Sequence, residues 1–191
     1  MASNNHHHEL KLSKFEAPQN LKTAAYVCVV LGLIGMIMGF INNPERVWTA
    51  YLVSFFYFAC LALGAMFFIA FNFVTNAGWS TSIRRIAESF TSYLPVMVVT
   101  SFVLILGFKH LYPWADPEQA HRLTGGKSIY LSQAFVIARF VIFGLGCLVF
   151  KNLIVGNSLK QDETGDNNLT LQNLPRSVGF IAFFAIFFSM F

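Results

Sequence analysis

The chain has 191 residues, of which 55% are hydrophobic, 16% aromatic and only 12% charged, and 22 are phenylalanine. A soluble domain carries roughly 25% charged residues, and a chain of this size with half that charge cannot cover its surface with polar groups. A mean hydropathy of +0.57 excludes an ordinary soluble enzyme and a disordered regulator. The solvent is lipid.

The net charge is +4 and the pI about 9.1. The 13 Lys and Arg are scattered between apolar blocks and form no run or stripe of the kind that tracks a phosphate backbone, which excludes nucleic acid as a partner. Basic residues flanking membrane spans account for the excess. Cys28, Cys60 and Cys147 each lie inside an apolar block and read as small buried hydrophobes, neither a disulfide set nor a metal site.

Residues 1–23 form a polar tail that includes His6, His7, His8, Glu9 and Glu16. No small-residue cleavage site follows the first apolar block, so the tail is not a signal peptide. From residue 24 to 191 the chain reads as an all-α helical bundle. Residues 23–44, 47–83 and 89–108 carry no charge, and a spanning helix needs about 20 mainly apolar residues. Full spans are thus expected near 24–42, 47–75 and 93–111. A fourth is expected near 129–151, with Arg139 at its middle. A fifth starts after Arg176 and is still apolar at Phe191. As a helix those residues extend only ~22 Å, short of a ~30 Å hydrocarbon core. The expectation is four full spans plus the start of a fifth, in an N-terminal part of a longer chain.

The first span carries a small-residue stripe at Cys28, Gly32, Gly35 and Gly39. The second carries Ala50, Ser54, Tyr57, Leu61 and Gly64 at similar spacing. Small faces let helices approach closely in lipid, so both read as packing seams. Between the second and third spans, Trp79, Ile83, Ile86, Phe90 and Tyr93 recur at +4, +3, +4 and +3. Arg84, Arg85 and Glu88 point the other way. This is the pattern of an amphipathic helix lying in the membrane interface, with its arginines toward lipid phosphates or a partner. The loop at 109–127 reads as an ordered cap, and that at 151–176 as a solvated loop.

Summed over loops, one side holds Lys11, Lys14, Lys22, Arg84, Arg85, Lys151, Lys160 and Arg176, and the other Arg46, Lys109, Arg122 and Lys127. The more basic side is normally cytoplasmic, which places the N-terminus there.

Arg139 is the sharpest single residue. A mid-bilayer arginine is expensive and must face protein or a water-filled cavity. Ser132 shares its helical face, and Ser54 and Tyr57 lie on the seam of the second span. The arginine reads either as a structural bond to neighbouring polar atoms or as a charge beside a proton path. His110 is the only histidine near the hydrocarbon, so the paired axial histidines of a dihaem cytochrome are absent from this sequence. Three scattered cysteines do not supply the usual four ligands of an iron–sulfur cluster. Gly126-Lys127-Ser128 is a chance match to a phosphate loop, since His121 stands where the pattern requires glycine.

Three sets of residues carry a family resemblance. One is Pro44-Glu45-Arg46-Val47-Trp48-Thr49-Ala50-Tyr51-Leu52 with Leu61-Ala62-Leu63-Gly64; another is Ala77-Gly78-Trp79-Ser80 before Arg85 and Glu88. The last comprises His110-Leu111, Trp114, Asp116-Pro117-Glu118, Gly126 to Tyr130, and Asn157-Ser158-Leu159 before Gln161-Asp162-Glu163. In this order they resemble the NrfD-like membrane subunits of bacterial alternative complex III, the ActF type more than the quinol-binding ActC type. The resemblance implies a multi-pass subunit of a quinol:cytochrome c, or terminal oxidase, oxidoreductase in the bacterial inner membrane. It implies a structural role with proton conduction as an added possibility, and no cofactor in this chain. Quinol would be oxidised at an ActC-like partner, with iron–sulfur clusters and haem c in further subunits, and lipids around them. Arg139, Ser132, Ser54, Tyr57, His110 and Asp116 form the candidate proton route or intramembrane polar network. Two other readings stay open: a secondary transporter half that binds an anion at Arg139, and a subunit that binds quinone directly through His110 or Tyr57.

Overall fold

A computed structural model describes residues 18–112, 114, 126–166 and 168–190. Among them the chain is 92% helical, has no strand, and contains five helices long and apolar enough to cross a membrane. It is an all-α, multi-span membrane protein. Two compact units divide it, Met1–Pro44 and Glu45–Phe191.

The described element of the first unit is α1, Gln19–Asn42. It is apolar along its length and is closed by the Asn43 N–H, which donates to the Gly39 carbonyl at 2.8 Å. On its small-residue stripe, Gly32 and Gly35 have open space where a Cβ would stand.

The second unit is built on α2, Pro44–Val74, which starts with Pro, whose missing N–H costs nothing in a first turn. Its buried face is Ala59, Ala62, Leu63, Met66, Ile69, Ala70 and Phe73, a +3/+4 stripe. The expected seam of Ser54, Tyr57, Leu61 and Gly64 faces outward instead. Against the buried stripe lie Leu94, Met97, Phe143, Cys147, Ile154, Val155 and Phe180. In lipid the outward face needs no polar cover, so bulk decides which side packs: the larger Met66, Ile69 and Phe73 gain more dispersion contact than small residues do.

Helix α3, Thr81–Phe90, runs through one 3₁₀ turn, Thr91–Tyr93, into α4, Leu94–Leu106. Pro95 has no N–H to give the Thr91 carbonyl, and the Leu94 N–H takes that carbonyl instead. Ile83–Leu106 is therefore one helical run, long and apolar enough to span. A short α5, Phe108–Leu111, follows Gly107, and α6, Gly126–Tyr130, is a single turn.

The last two helices form an antiparallel hairpin: α7, Gln133–Thr164, and α8, Asn168–Phe188. The segment 151–176, expected as a solvated loop, is helical except for the turn between them. Gly165, at φ 67°, supplies the left-handed residue that ends α7, and the Asp166 carboxylate accepts from the Asn168 N–H at 2.9 Å to start α8. Charge alone does not break a helix that has a neighbour to pack on. The fifth span thus begins eight residues before Arg176, and its 21 residues extend ~31 Å. Phe150, Phe180, Phe183, Phe184 and Phe187 fill the hairpin toward the end of α8. The Phe183 ring lies on Gly146 so closely that a Cβ there would overlap it.

Candidate functional site

The amphipathic helix α3 is turned inside out relative to a soluble one. Trp79, Ile83, Ile86 and Phe90 face outward, 71%, 49%, 61% and 49% exposed, whereas Glu88 is 6% exposed and Thr91 fully buried. Arg84 and Arg85 both turn to Glu88. They pair within the protein, because a carboxylate buried on the same face must be compensated.

Glu88 is the centre of that cluster. Its Oε2 accepts from Arg85 Nη1 at 2.6 Å, and its Oε1 accepts from the Ser158 hydroxyl at 2.6 Å. Arg84 Nε stands 3.5 Å from Oε1, and its guanidinium covers the Phe73 ring at 4.9 Å. Arg85 reaches on to Asp162 of α7 through its other nitrogen. The Thr91 hydroxyl donates to the Glu88 carbonyl at 2.6 Å. Two arginines and two carboxylates sum to zero charge, so the cluster is neutral as a unit. It ties α3 to the part of α7 that the sequence reading took for a loop. Chemically it offers one buried carboxylate held by a hydroxyl and two guanidinium groups.

A second polar centre lies at Arg139. It is buried at 7% exposure and sits two turns into α7, which Ser132 caps and which runs on to Thr164. Its guanidinium donates to the carbonyl of Met190 at 2.8 Å and of Tyr130 at 3.0 Å, and lies over the Tyr130 and Phe135 rings at 4.1 and 5.1 Å. Tyr130 ends α6 and Met190 follows the end of α8. A helix end leaves carbonyls without partners and carries partial negative charge, so the cation closes α6 at Tyr130 while also binding the Met190 carbonyl. The Tyr130 hydroxyl shares the Met190 carbonyl at 2.5 Å. Tyr112, Trp114, Leu131, Val136 and Phe140 complete a cavity of about 310 Å³ around this centre. Burial raises the Tyr112 phenol above its ordinary value.

The other sequence candidates are dispersed. The Ser132 hydroxyl works as the cap, accepting from the Phe135 N–H at 3.4 Å and donating to the Ile129 carbonyl at 2.8 Å. Ser54 and Tyr57 face outward on α2, Tyr57 with its ring edge on Phe58. His110 is exposed on α5. Asp116 lies outside the described residues, as do His6, His7, His8 and His121. Gly126-Lys127-Ser128 forms the α6 turn. Among the described residues no three His, Cys, Asp or Glu side chains gather as a metal site.

Glu88, Ser158 and Asp162 were not singled out by sequence reasoning as a site. For Glu88 a signal is nonetheless present: Arg84, Arg85 and Glu88 are three charges within five residues, opposite an apolar stripe, in a chain whose solvent is lipid. In that solvent the charged side of such a helix points inward. No protein-family model matches the chain, and no curated protein is significantly similar to it.

Proposed function

We propose that this chain is a cofactor-free membrane subunit of a bacterial quinol oxidoreductase of the alternative complex III type, seated in the inner membrane with its N-terminus cytoplasmic. Electrons run from quinol, oxidised at an ActC-like partner, through iron–sulfur and haem c subunits to cytochrome c or a terminal oxidase. This chain supplies the helical scaffold, and its buried polar centres serve proton movement across it. One observation carries the reading. The segments that bear the resemblance, 77–88 and 157–163, lie far apart in sequence, yet Arg85 and Glu88 of the first meet Ser158 and Asp162 of the second. A coincidental resemblance gives no reason for the two segments to share one neutral charge cluster.

The test is purification of the native assembly through a tag on this chain. Copurifying subunits with haem c and iron–sulfur signals are the expected outcome. A lone homo-oligomer without redox centres contradicts the proposal.

A further inference from the structure

Beside Glu88, the seam between α7 and α8 contains polar atoms that protein alone does not satisfy. Asn173 is fully buried, and its Nδ2 donates to the Ile154 carbonyl at 3.1 Å. That bond fixes the amide orientation, since the reverse flip would set two acceptor oxygens against each other. Its Oδ1 has no hydrogen-bond partner among the described residues. One turn further along α8, Ser177 is fully buried, and its hydroxyl has no hydrogen-bond partner among the described residues. Other helical hydroxyls in the chain behave differently: those of Thr23, Thr49, Thr100 and Ser101 each donate to a carbonyl three or four residues back. Ser177 shares the buried face of α8 with Asn173 and Phe180. On α7, three residues after the Ile154 that Asn173 binds, the Asn157 Nδ2 is also buried and has no hydrogen-bond partner among the described residues; Asn157 is next in sequence to the Ser158 that holds Glu88.

We infer that this seam is a binding site for ordered water, held by Asn173, Ser177 and Asn157. A buried acceptor, a buried hydroxyl and a buried amide donor are the mixed partners that an internal water needs, typically about three hydrogen bonds each. Leaving them bare would be unfavourable, whereas bridging water satisfies donors and acceptors alike. The register of the hairpin limits the site's extent. On one side Thr170 donates to Gln161 at 2.7 Å and closes the polar end. On the other, Phe180 is fully buried against Phe150, at 5.6 Å between ring centres, and offers water no partner. The water is therefore confined to one stretch of the seam, beside the Glu88 cluster, and does not continue into the aromatic half. The inference rests on these atoms and not on membership of a quinol complex.

The experiment is a high-resolution map of the protein in its native assembly, wild type and Ser177→Ala, with thermal unfolding of both. A density peak at hydrogen-bonding distance, roughly 2.7–3.2 Å, from Asn173 Oδ1 in the wild type is expected. In Ser177→Ala the peak weakens and the melting temperature falls, because the water loses an anchor. A wild-type map without the peak overturns the inference. So does a rise in melting temperature of Ser177→Ala, which would report relief of a bare hydroxyl in a dry seam.

Discussion

Ser158 of α7 donates its hydroxyl to Glu88 of α3 at 2.6 Å, although 70 positions separate them. This bond satisfies Oε1 of a carboxylate whose side chain is 5% exposed, and Arg85 satisfies Oε2. Removing the acid leaves two guanidinium groups in a half-buried site with one carboxylate between them. Glu88→Ala should therefore destabilise strongly, by about 3–5 kcal/mol, read as thermal unfolding in detergent. Ser158→Ala should cost less, about 1–3 kcal/mol. The two substitutions share a bond, so the double variant should lose less than their sum.

Asp162 is a milder case. It meets Arg85 at the rim, with 55% of its side chain exposed. Exposed pairs contribute only ~0–1 kcal/mol and are screened by salt. Asp162→Asn should shift unfolding slightly at low ionic strength and not at all at high. A large, salt-independent loss would show that the Arg85–Asp162 contact is more buried than the geometry indicates.

At Arg139 the geometry separates charge from shape. Arg139→Met should lower the unfolding temperature, because it removes two charge-assisted bonds worth about 1.5–3 kcal/mol each and opens the end of α6. Arg139→Lys should recover only part of the loss. A single ammonium lacks the planar fork that serves the Tyr130 and Met190 carbonyls together. Equal stability of the Lys variant and wild type would argue against this bridging role.

Two glycines of α7 offer a paired test of the hairpin. Gly146 lies under the Phe183 ring, whereas Gly156 has open space where a Cβ would stand. Gly146→Ala should destabilise by about 1–3 kcal/mol through overpacking. Gly156→Ala should be neutral or stabilising by up to ~1 kcal/mol, as helix propensity favours Ala over Gly. Unfolding of the two variants side by side decides it.

How far the sequence reaches depends on which physical signal each element carries. Charge-free length placed α1, α2 and α4, and a long apolar block broken only by Arg139 placed the body of α7, since a spanning helix needs about 20 mainly apolar residues. The same signal misread 151–176, because charges there mark where helices rise beyond the apolar block, not where they stop. The +4/+3 stripe from Trp79 to Tyr93 revealed the amphipathic face of α3. Which side faces protein could be read only by taking lipid as the solvent for that helix too, and Glu88 was missed for that reason. Arg139 stood out as a single charge in an apolar block. Its partners did not, because the Tyr130 and Met190 carbonyls are backbone atoms, which composition does not display. Small-residue spacing nominated Ser54 and Tyr57, yet the neighbouring stripe of α2 packs.

The central claim is that this chain belongs to the machinery that oxidises quinol. Quinol-driven reduction of cytochrome c by native membranes, compared between cells with and without this chain, tests it most directly. The account predicts loss of that activity with the chain and recovery on its return. An undiminished rate in its absence would contradict the account.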